Sequence, residues 1–241
     1  MRYRLNVTAL LVHRGQIAVE MAGILVMVFL GNFYLRYIRN QRQALKTDRQ
    51  GQASEGLFPE QNSERQYLER LLEEEFPLAV KLREYSGNLY RHSRRVSDLS
   101  GRAADAIGAD GLLAKAGGFY HEVGRMSEEE NYIEAGLVLG EKHSFPEQLR
   151  AVIRQHSPSY EIPRSPEAAV VMLSDYIIST SDYLMKNGMR EKLTDEKLVH
   201  NVIHNRLSKG NLRECGMSAE QLEALQAYFT THAFEKGDAE E

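Results

Sequence analysis

Cysteine is nearly absent from this chain of 241 residues, which has only one, Cys215. A single cysteine excludes an internal disulfide bond, and its scarcity suits a reducing compartment. It also excludes the paired cysteines on which many structural zinc sites depend. An excess of basic charge is lacking too, because the formal net charge is −4 at pH 7 and the pI is about 6.1. A nucleic-acid polymer is therefore not an expected partner.

The alternation of apolar and polar residues that marks half-buried β-strands is also missing from Glu64 onward. Helical periodicity takes its place. His92, Val96, Leu99 and Ala103, for example, share one helical face. The predicted fold class is therefore all-α. More specific expectations are a helix break or kink at Pro77, helices over 112–123 (ending at Gly124) and 168–184, and helix N-caps at Thr194 and Ser218.

One long apolar run lies near the N-terminus. Residues 21–31 include no charged or strongly polar side chain, and the wider segment 17–38 is long enough to cross a bilayer. A buried core helix and a cleaved signal peptide are alternatives. The polar, basic segment that follows argues against the first, and the lack of a small-residue cleavage site argues against the second.

We therefore predict a single membrane-spanning helix at about 17–38, with the lipid bilayer as a partner and the cell membrane as the location. Five basic residues lie at or after the C-terminal end of the span (Arg36, Arg39, Arg42, Lys46 and Arg49) and three precede it, which places the C-terminal domain in the cytoplasm. The predicted organisation is an N-terminal segment (1–39), a polar linker (40–63), a folded domain (64–234) and an acidic tail (235–241).

Four residues in the helical part indicate chemistry. His92, the adjacent pair His121 and Glu122, and Asp175 together offer two imidazoles and two carboxylates. Such a set suits a divalent cation that polarises a phosphate and activates water. Spacing alone is weak evidence, since Asp175 on an apolar helix face could equally be paired with an arginine or a backbone group. His200 and His204, four residues apart, are interpreted as a solvated helix face.

The sequence around these residues resembles that of the HD phosphohydrolase superfamily, in which a His, a His-Asp doublet and a later Asp hold the metal. The similar stretches are Tyr90-Arg91-His92-Ser93, Phe119-Tyr120-His121-Glu122-Val123-Gly124-Arg125 and Val171-Met172-Leu173-Ser174-Asp175. They are most similar to the YHHS, YYHDIGK and VMLADS motifs of the bacterial seven-transmembrane-receptor HD proteins, which hydrolyse cyclic di-AMP. The resemblance covers about 76–229 and continues through Gln155-His156, Asn205-Arg206-Leu207 and Glu214-Cys215.

The resemblance implies an HD-domain helical bundle with one divalent ion (Mn, Fe or Mg). By resemblance, its ligands are His92, His121, Glu122 and Asp175, and His156 belongs to a second metal position. His121 and Glu122 are then catalytic, together with Arg125, which replaces a lysine and is expected to contact phosphate.

Four positions depart from the pattern of the family. Glu122 replaces the Asp of the doublet, while Tyr132 and Ser157 replace histidines of the second metal position. Asp182 stands where the family tends to carry Arg, so that it either repels phosphate or lies on a solvated edge. A two-metal clamp is therefore doubtful.

Two functions remain open at this point. The first is a membrane-anchored, metal-dependent phosphohydrolase or phosphodiesterase that acts on a nucleotide, with cyclic di-AMP as the candidate that the resemblance suggests. The second is a catalytically degenerate HD domain that binds a nucleotide or a protein and serves in signalling. Either could form a homo-oligomer.

Overall fold

The computed structural model of the chain describes residues 59–127 and 129–234. This part is helical and contains no β-strand. No helix within it is long and apolar enough to span a bilayer. The predicted membrane helix at 17–38 and the acidic tail at 235–241 lie outside the described residues, as does most of the predicted linker. In chain order the helices are α1 (Pro59–Leu71), α2 (Pro77–Tyr85), α3 (Gly87–Ala106), α4 (Gly111–Tyr120), α5 (Tyr132–Lys142), α6 (Glu147–Gln155), α7 (Pro166–Lys186), α8 (Asp195–Ser208) and α9 (Ala219–His232).

Side chains in the connecting segments start most of these helices. Asp110 accepts hydrogen bonds from the backbone N–H groups of Leu112 and Leu113, each at 3.0 Å, at the start of α4. The predicted N-caps are confirmed, because Thr194 caps α8 and Ser218 caps α9. Ser218 also forms a reciprocal capping box with Gln221. Each cap satisfies N–H groups that lack a partner inside the helix.

Two boundaries differ from expectation. Pro77 neither ends nor kinks α1, which stops at Leu71; instead it occupies the first turn of α2, where its missing N–H group costs nothing. The helix that was expected to end at Gly124 ends at Tyr120 and is followed by a 3₁₀ turn over Val123–Met126.

Gly124 allows the 3₁₀ turn to pack closely against α5. From the sequence alone, this role could not be distinguished from that of a glycine that ends a helix. A Cβ atom at this position would lie 1.8 Å from the Tyr132 carbonyl oxygen and 2.3 Å from the Gly136 nitrogen. The 3₁₀ turn can approach α5 only because residue 124 has no side chain.

The buried side chains form two clusters. The larger surrounds α7, whose Val171, Met172 and Leu173 are fully buried. The smaller joins α1, α2, α4 and α6 and includes Tyr120 and Ile153. Asp175 lies on α7 just after the first set, and His121 directly follows Tyr120. The candidate site therefore draws its residues from helices that belong to both clusters.

Candidate metal centre

His92, His121 and Asp175 meet in space although they are far apart in sequence. One potential ligand atom from each lies within 4.8 Å of the other two. His92 comes from the middle of α3, His121 from the end of α4 and Asp175 from α7. The His92 Nε2 atom is 3.2 Å from Asp175 Oδ1, and His121 Nε2 is 3.7 Å from the same oxygen. The side chains of His92 and Asp175 are 17% and 18% exposed, so the cluster is accessible from one side.

The orientation of His121 is set by its own helix. Its Nδ1 atom lies 2.8 Å from the Gly118 carbonyl oxygen, which can only accept, so Nδ1 carries the hydrogen. The ring is almost fully buried, and within the described residues Nε2 has no hydrogen-bond partner. A buried imidazole nitrogen without a partner is costly unless a ligand uses its lone pair. Its neighbours within the cluster are another imidazole nitrogen and a carboxylate oxygen.

The donor set fits a divalent cation. Two imidazole nitrogens and a carboxylate oxygen suit a divalent ion such as Mn or Fe, and ligand bonds of about 2.1 Å place opposite ligands about 4.2 Å apart. Small side-chain shifts bring atoms that lie within 4.8 Å of one another to that spacing. The unpartnered His121 Nε2 is the observation that favours a metal over a purely structural ion pair.

The ionisable groups of the cluster stabilise one another's charged forms. Burial opposes the charged form of His121, but the carboxylates of Asp175 and Glu122 outweigh it and raise the pKa of the imidazole. Burial alone would raise the pKa of Asp175 as well, yet the His121 and His92 rings hold it well below its usual range. Asp175 is therefore an anion near neutral pH, as a metal ligand must be.

Ser179 completes the support of Asp175, and the sequence prediction had not included it. Its hydroxyl group donates a hydrogen bond of 2.9 Å to Asp175 Oδ1 from one turn further along α7. The i, i+4 spacing of a serine after a candidate ligand could have revealed it. Partners of this kind fix the orientation of a ligand.

Glu122 lies beside the cluster. Its Oε2 atom is 4.0 Å from His92 Nε2, while Oε1 accepts a hydrogen bond of 2.6 Å from Arg125 Nε and lies 2.6 Å from Arg125 Nη2 in an ion pair. Arg125, which was predicted to contact phosphate, thus pairs with the neighbouring acid. Its guanidinium group also lies over the Tyr132 ring, 4.1 Å from the ring centre. About half of the side chain is exposed and remains available to a ligand.

His156 is the fifth predicted ligand, and it lies next to the three-residue cluster without being part of it. Its ring centre is 5.1 Å from that of His121. Its Nδ1 atom is 2.6 Å from the Ile153 carbonyl oxygen, and its Nε2 atom is 3.4 Å from the Tyr132 hydroxyl group. Burial, followed by the charge of His121, lowers the pKa of His156 to about 4. His156 is therefore neutral at physiological pH.

Asp182, interpreted from the sequence as either a repulsive charge or a residue on a solvated edge, is partly exposed and paired with an arginine, a pairing that neither interpretation included. Both of its carboxylate oxygens accept hydrogen bonds from Arg95 of α3, at 2.8 and 2.9 Å. The negative charge is thus compensated across the α3–α7 contact. No sequence signal identified Arg95 as its partner. His200 and His204 lie exposed on α8 with their rings stacked, as expected for a solvated face.

The all-helical fold and the cluster of two histidines and one aspartate inside it together indicate the class of domain. The sequence pattern of the HD domain family matches residues 89–179, a range that spans all three cluster residues. The chain therefore contains an HD domain, as the sequence resemblance implied. HD domains are metal-dependent, which agrees with the donor set.

Relatives of this chain include a cyclic-di-AMP phosphodiesterase and a ribonuclease. Cyclic-di-AMP phosphodiesterase PgpH of Bacillus subtilis is 25% identical over 200 aligned residues, which cover 62% of this chain and 28% of that protein. Ribonuclease Y of Aquifex aeolicus is 31% identical over 94 residues, which cover 38% of this chain and 17% of that protein. The chain thus spans less than a third of the length of these relatives.

Solved structures show the same fold. The crystal structure of the PgpH HD domain of L. monocytogenes in complex with cyclic-di-AMP matches with a TM-score of 0.56 and 18% identity. The match covers 64% of this chain and 94% of that one. A second crystal structure of the L. monocytogenes PgpH HD domain gives a TM-score of 0.55 at 17% identity, covering 65% of this chain and 96% of that one.

Proposed function

We propose that this chain is a metal-dependent phosphodiesterase that acts on a nucleotide, with cyclic di-AMP as the first candidate substrate. The observation that carries this proposal is the convergence of His92, His121 and Asp175, with a buried His121 nitrogen that has no partner within the described part of the chain. The name of the PgpH relatives supplies the candidate substrate. The ion would be Mn, Fe or Mg, with one ion per chain.

In this proposal three side chains hold the ion and one supports it. His92, His121 and Asp175 are the ligands, and Glu122 Oε2, 4.0 Å from His92 Nε2, is an additional oxygen beside them. The chemistry that such a cation supplies is polarisation of a phosphoryl oxygen and a lower pKa for water. The Gly118 carbonyl group keeps the His121 lone pair directed at the cluster, and Ser179 fixes the Asp175 carboxylate.

Arg125 is the proposed phosphate-binding residue. Its guanidinium group is half exposed and is held at the edge of the cluster by Glu122 and by the Tyr132 ring. An arginine can donate to Glu122 and to a phosphate oxygen at the same time, because its donors form a planar fork. Arg125 would therefore orient the phosphate and offset its negative charge.

A second candidate function is nucleotide binding without turnover, in a signalling role. The pairing of Glu122 with Arg125 favours it, because this pairing keeps one oxygen of the doublet carboxylate away from the metal ligands. A domain that retains three ligands but has a displaced fourth could bind a metal and a nucleotide without efficient hydrolysis.

The anchoring of the domain stays a proposal as well. We propose that residues 17–38 span the cell membrane, that residues 40–63 link the span to a cytoplasmic domain at 64–234, and that residues 235–241 form an acidic tail. The apolar run and the basic residues after it support this arrangement.

The experiment is a combined measurement of metal content and hydrolysis on the full chain. We expect about one Mn²⁺ per wild-type chain and Mn²⁺-dependent cleavage of cyclic di-AMP. Asp175→Asn, which keeps the size of the side chain, and His121→Ala should both lose the ion and the cleavage. His200→Ala is the matched control, since it removes an exposed histidine of α8 and should change neither.

The outcomes separate the candidates. Metal and nucleotide binding without turnover selects the signalling module. Cleavage of single-stranded RNA in place of cyclic di-AMP would instead link the chain to its Ribonuclease Y relatives. Absence of metal from the wild-type protein, together with no cleavage of any of these substrates, refutes the proposed phosphodiesterase.

A further inference from the structure

His156 presents a nitrogen lone pair near the metal cluster. Its ring is 1% exposed and lies 5.1 Å, centre to centre, from the ring of His121. Because the Ile153 carbonyl oxygen at 2.6 Å can only accept, the Nδ1 atom of His156 carries the hydrogen. In the neutral ring, Nε2 is then the acceptor, and it is the one atom of this side chain that could bind a cation.

Tyr132 occupies that lone pair. Its hydroxyl oxygen lies 3.4 Å from His156 Nε2, a long but feasible hydrogen bond in which the phenol is the donor. A divalent ion on His156 would need the same lone pair and would have to displace this hydroxyl group. A neutral phenol is also a poor ligand, because its oxygen becomes a strong donor only after it loses its proton.

Arg125 holds Tyr132 in this position and adds a second obstacle. The guanidinium carbon lies 4.1 Å from the centre of the Tyr132 ring, a cation–π contact, and the same group pairs with Glu122 Oε1 at 2.6 Å. A cation beside His156 would therefore be repelled by the Arg125 guanidinium group. Glu122 Oε1, which is already paired with Arg125, is not available as a ligand for it.

We propose that Tyr132, held in place by Arg125, excludes a second divalent cation from His156 and so makes the centre mononuclear. Arg125 then supplies the positive charge that holds an anionic phosphate at this edge of the centre. This inference rests on the proposed function only in requiring that the first ion binds at His92, His121 and Asp175.

The number of bound ions tests the inference without any measurement of activity. The full chain, first freed of metal with a chelator, is titrated with Mn²⁺ by calorimetry, and its metal content is measured after gel filtration. Wild type should bind one ion, whereas Tyr132→Phe, which removes the hydroxyl group from the His156 nitrogen, should bind a second ion weakly. Tyr132→His places a second imidazole beside His156 Nε2 and should bind two, and Tyr132→His combined with His156→Ala should return to one.

A second measurement on the wild-type protein does not depend on whether a variant folds. In the ¹⁵N spectrum of the histidine side chains, saturating Zn²⁺ should shift the ring nitrogens of His92 and His121. The Nε2 resonance of His156 should keep the position of a hydrogen-bonded, metal-free nitrogen.

Three results overturn the inference. A wild-type stoichiometry of two that falls to one in His156→Ala shows that Tyr132 excludes nothing, and it leaves the proposed function standing. A folded Tyr132→His that still binds one ion removes Tyr132 as the cause, as does a Zn²⁺-induced shift of His156 Nε2. A wild-type protein that binds no ion refutes the proposed function together with the inference.

Discussion

At the scale of single residues, two of the three members of the candidate metal cluster are oriented by a neighbour that has no metal-binding role of its own. The Gly118 carbonyl group sets the ring of His121, and the Ser179 hydroxyl group sets the carboxylate of Asp175. Such contacts restrict the side chain in advance, so that it loses less conformational entropy when it binds a cation. Their removal should weaken metal binding while the ligands themselves remain in place.

Ser179→Ala tests this at one position. Loss of the 2.9 Å hydrogen bond leaves Asp175 Oδ1 less restrained, and we expect the affinity for Mn²⁺ to fall by about tenfold in calorimetric titrations. Ser179→Thr keeps the hydroxyl group and should retain most of the affinity. Ser208→Ala, an exposed serine of α8 that bonds only to its own helix, is the control. An unchanged affinity in Ser179→Ala would show that the hydrogen bond has no part in metal binding.

The low pKa of His156 predicts how the stability of the metal-free protein depends on pH. The pKa is about 4 in the folded chain against 6.5 ordinarily, so between these values the unfolded chain takes up a proton that the folded chain does not. The free energy of unfolding should therefore fall by about 3 kcal/mol from this residue as the pH falls from 6.5 to 4. The raised pKa of His121 acts in the opposite sense, because protonation of that ring is favoured in the folded state.

Urea unfolding in the presence of a chelator separates the contribution of His156 from that of His121. His156→Ala is expected to be less stable at neutral pH, and its stability should decline less steeply than that of the wild type below pH 6.5. Parallel curves for the two proteins would show that His156 titrates as an ordinary imidazole.

At the scale of elements, the site depends on how closely α4 approaches α3. Gly118 makes this possible, because a Cβ atom there would lie 2.9 Å from the Cα and N atoms of Ser97 and from the Val96 carbonyl oxygen. These are backbone atoms and cannot move aside independently. His121 follows within one turn, so the distance between the two helices sets the distance between His121 and His92.

Gly118→Ala is therefore expected to force α4 away from α3. Overpacking against backbone atoms should cost about 1–3 kcal/mol of unfolding free energy and should weaken Mn²⁺ binding. Gly87→Ala is the matched control, since a Cβ atom there has Arg91 Nη1 at 3.7 Å as its nearest neighbour. This control should be as stable as the wild type or slightly more stable, because alanine favours a helix. Equal stability of the two variants in urea would contradict the close approach.

The elements also show what the sequence could reveal. Capping residues and helical periodicity predicted α8, α9 and the buried face of α3, since those signals are local. Gly118 and Gly124 could not be interpreted in the same way, because their reason lies in another helix. The three residues of the candidate metal cluster were predicted through motifs, whereas the pairing of Arg95 with Asp182 was missed because a contact between two helices leaves no spacing in the sequence.

At the scale of the whole domain, the metal residues connect three separate parts of the chain. His92, His121 and Asp175 lie on α3, at the end of α4 and on α7, so an ion bound to all three would cross-link the helices of both buried clusters. The unfolded chain does not hold these groups together. An ion that binds the folded state alone stabilises it by mass action.

Thermal unfolding should therefore depend on the metal. At a free Mn²⁺ concentration of 100 times the dissociation constant, the gain is about 2.7 kcal/mol, which corresponds to a rise in Tm of about 5–10 °C for a domain of this size. Excess chelator should reverse the rise. His92→Ala removes a partly buried ligand at the edge of the core, so it should fold but show little rise, whereas the exposed His204→Ala should respond like the wild type. A rise of equal size in His92→Ala would mean that the ion binds elsewhere, because a cross-link between α3 and α7 cannot form without the ring at residue 92.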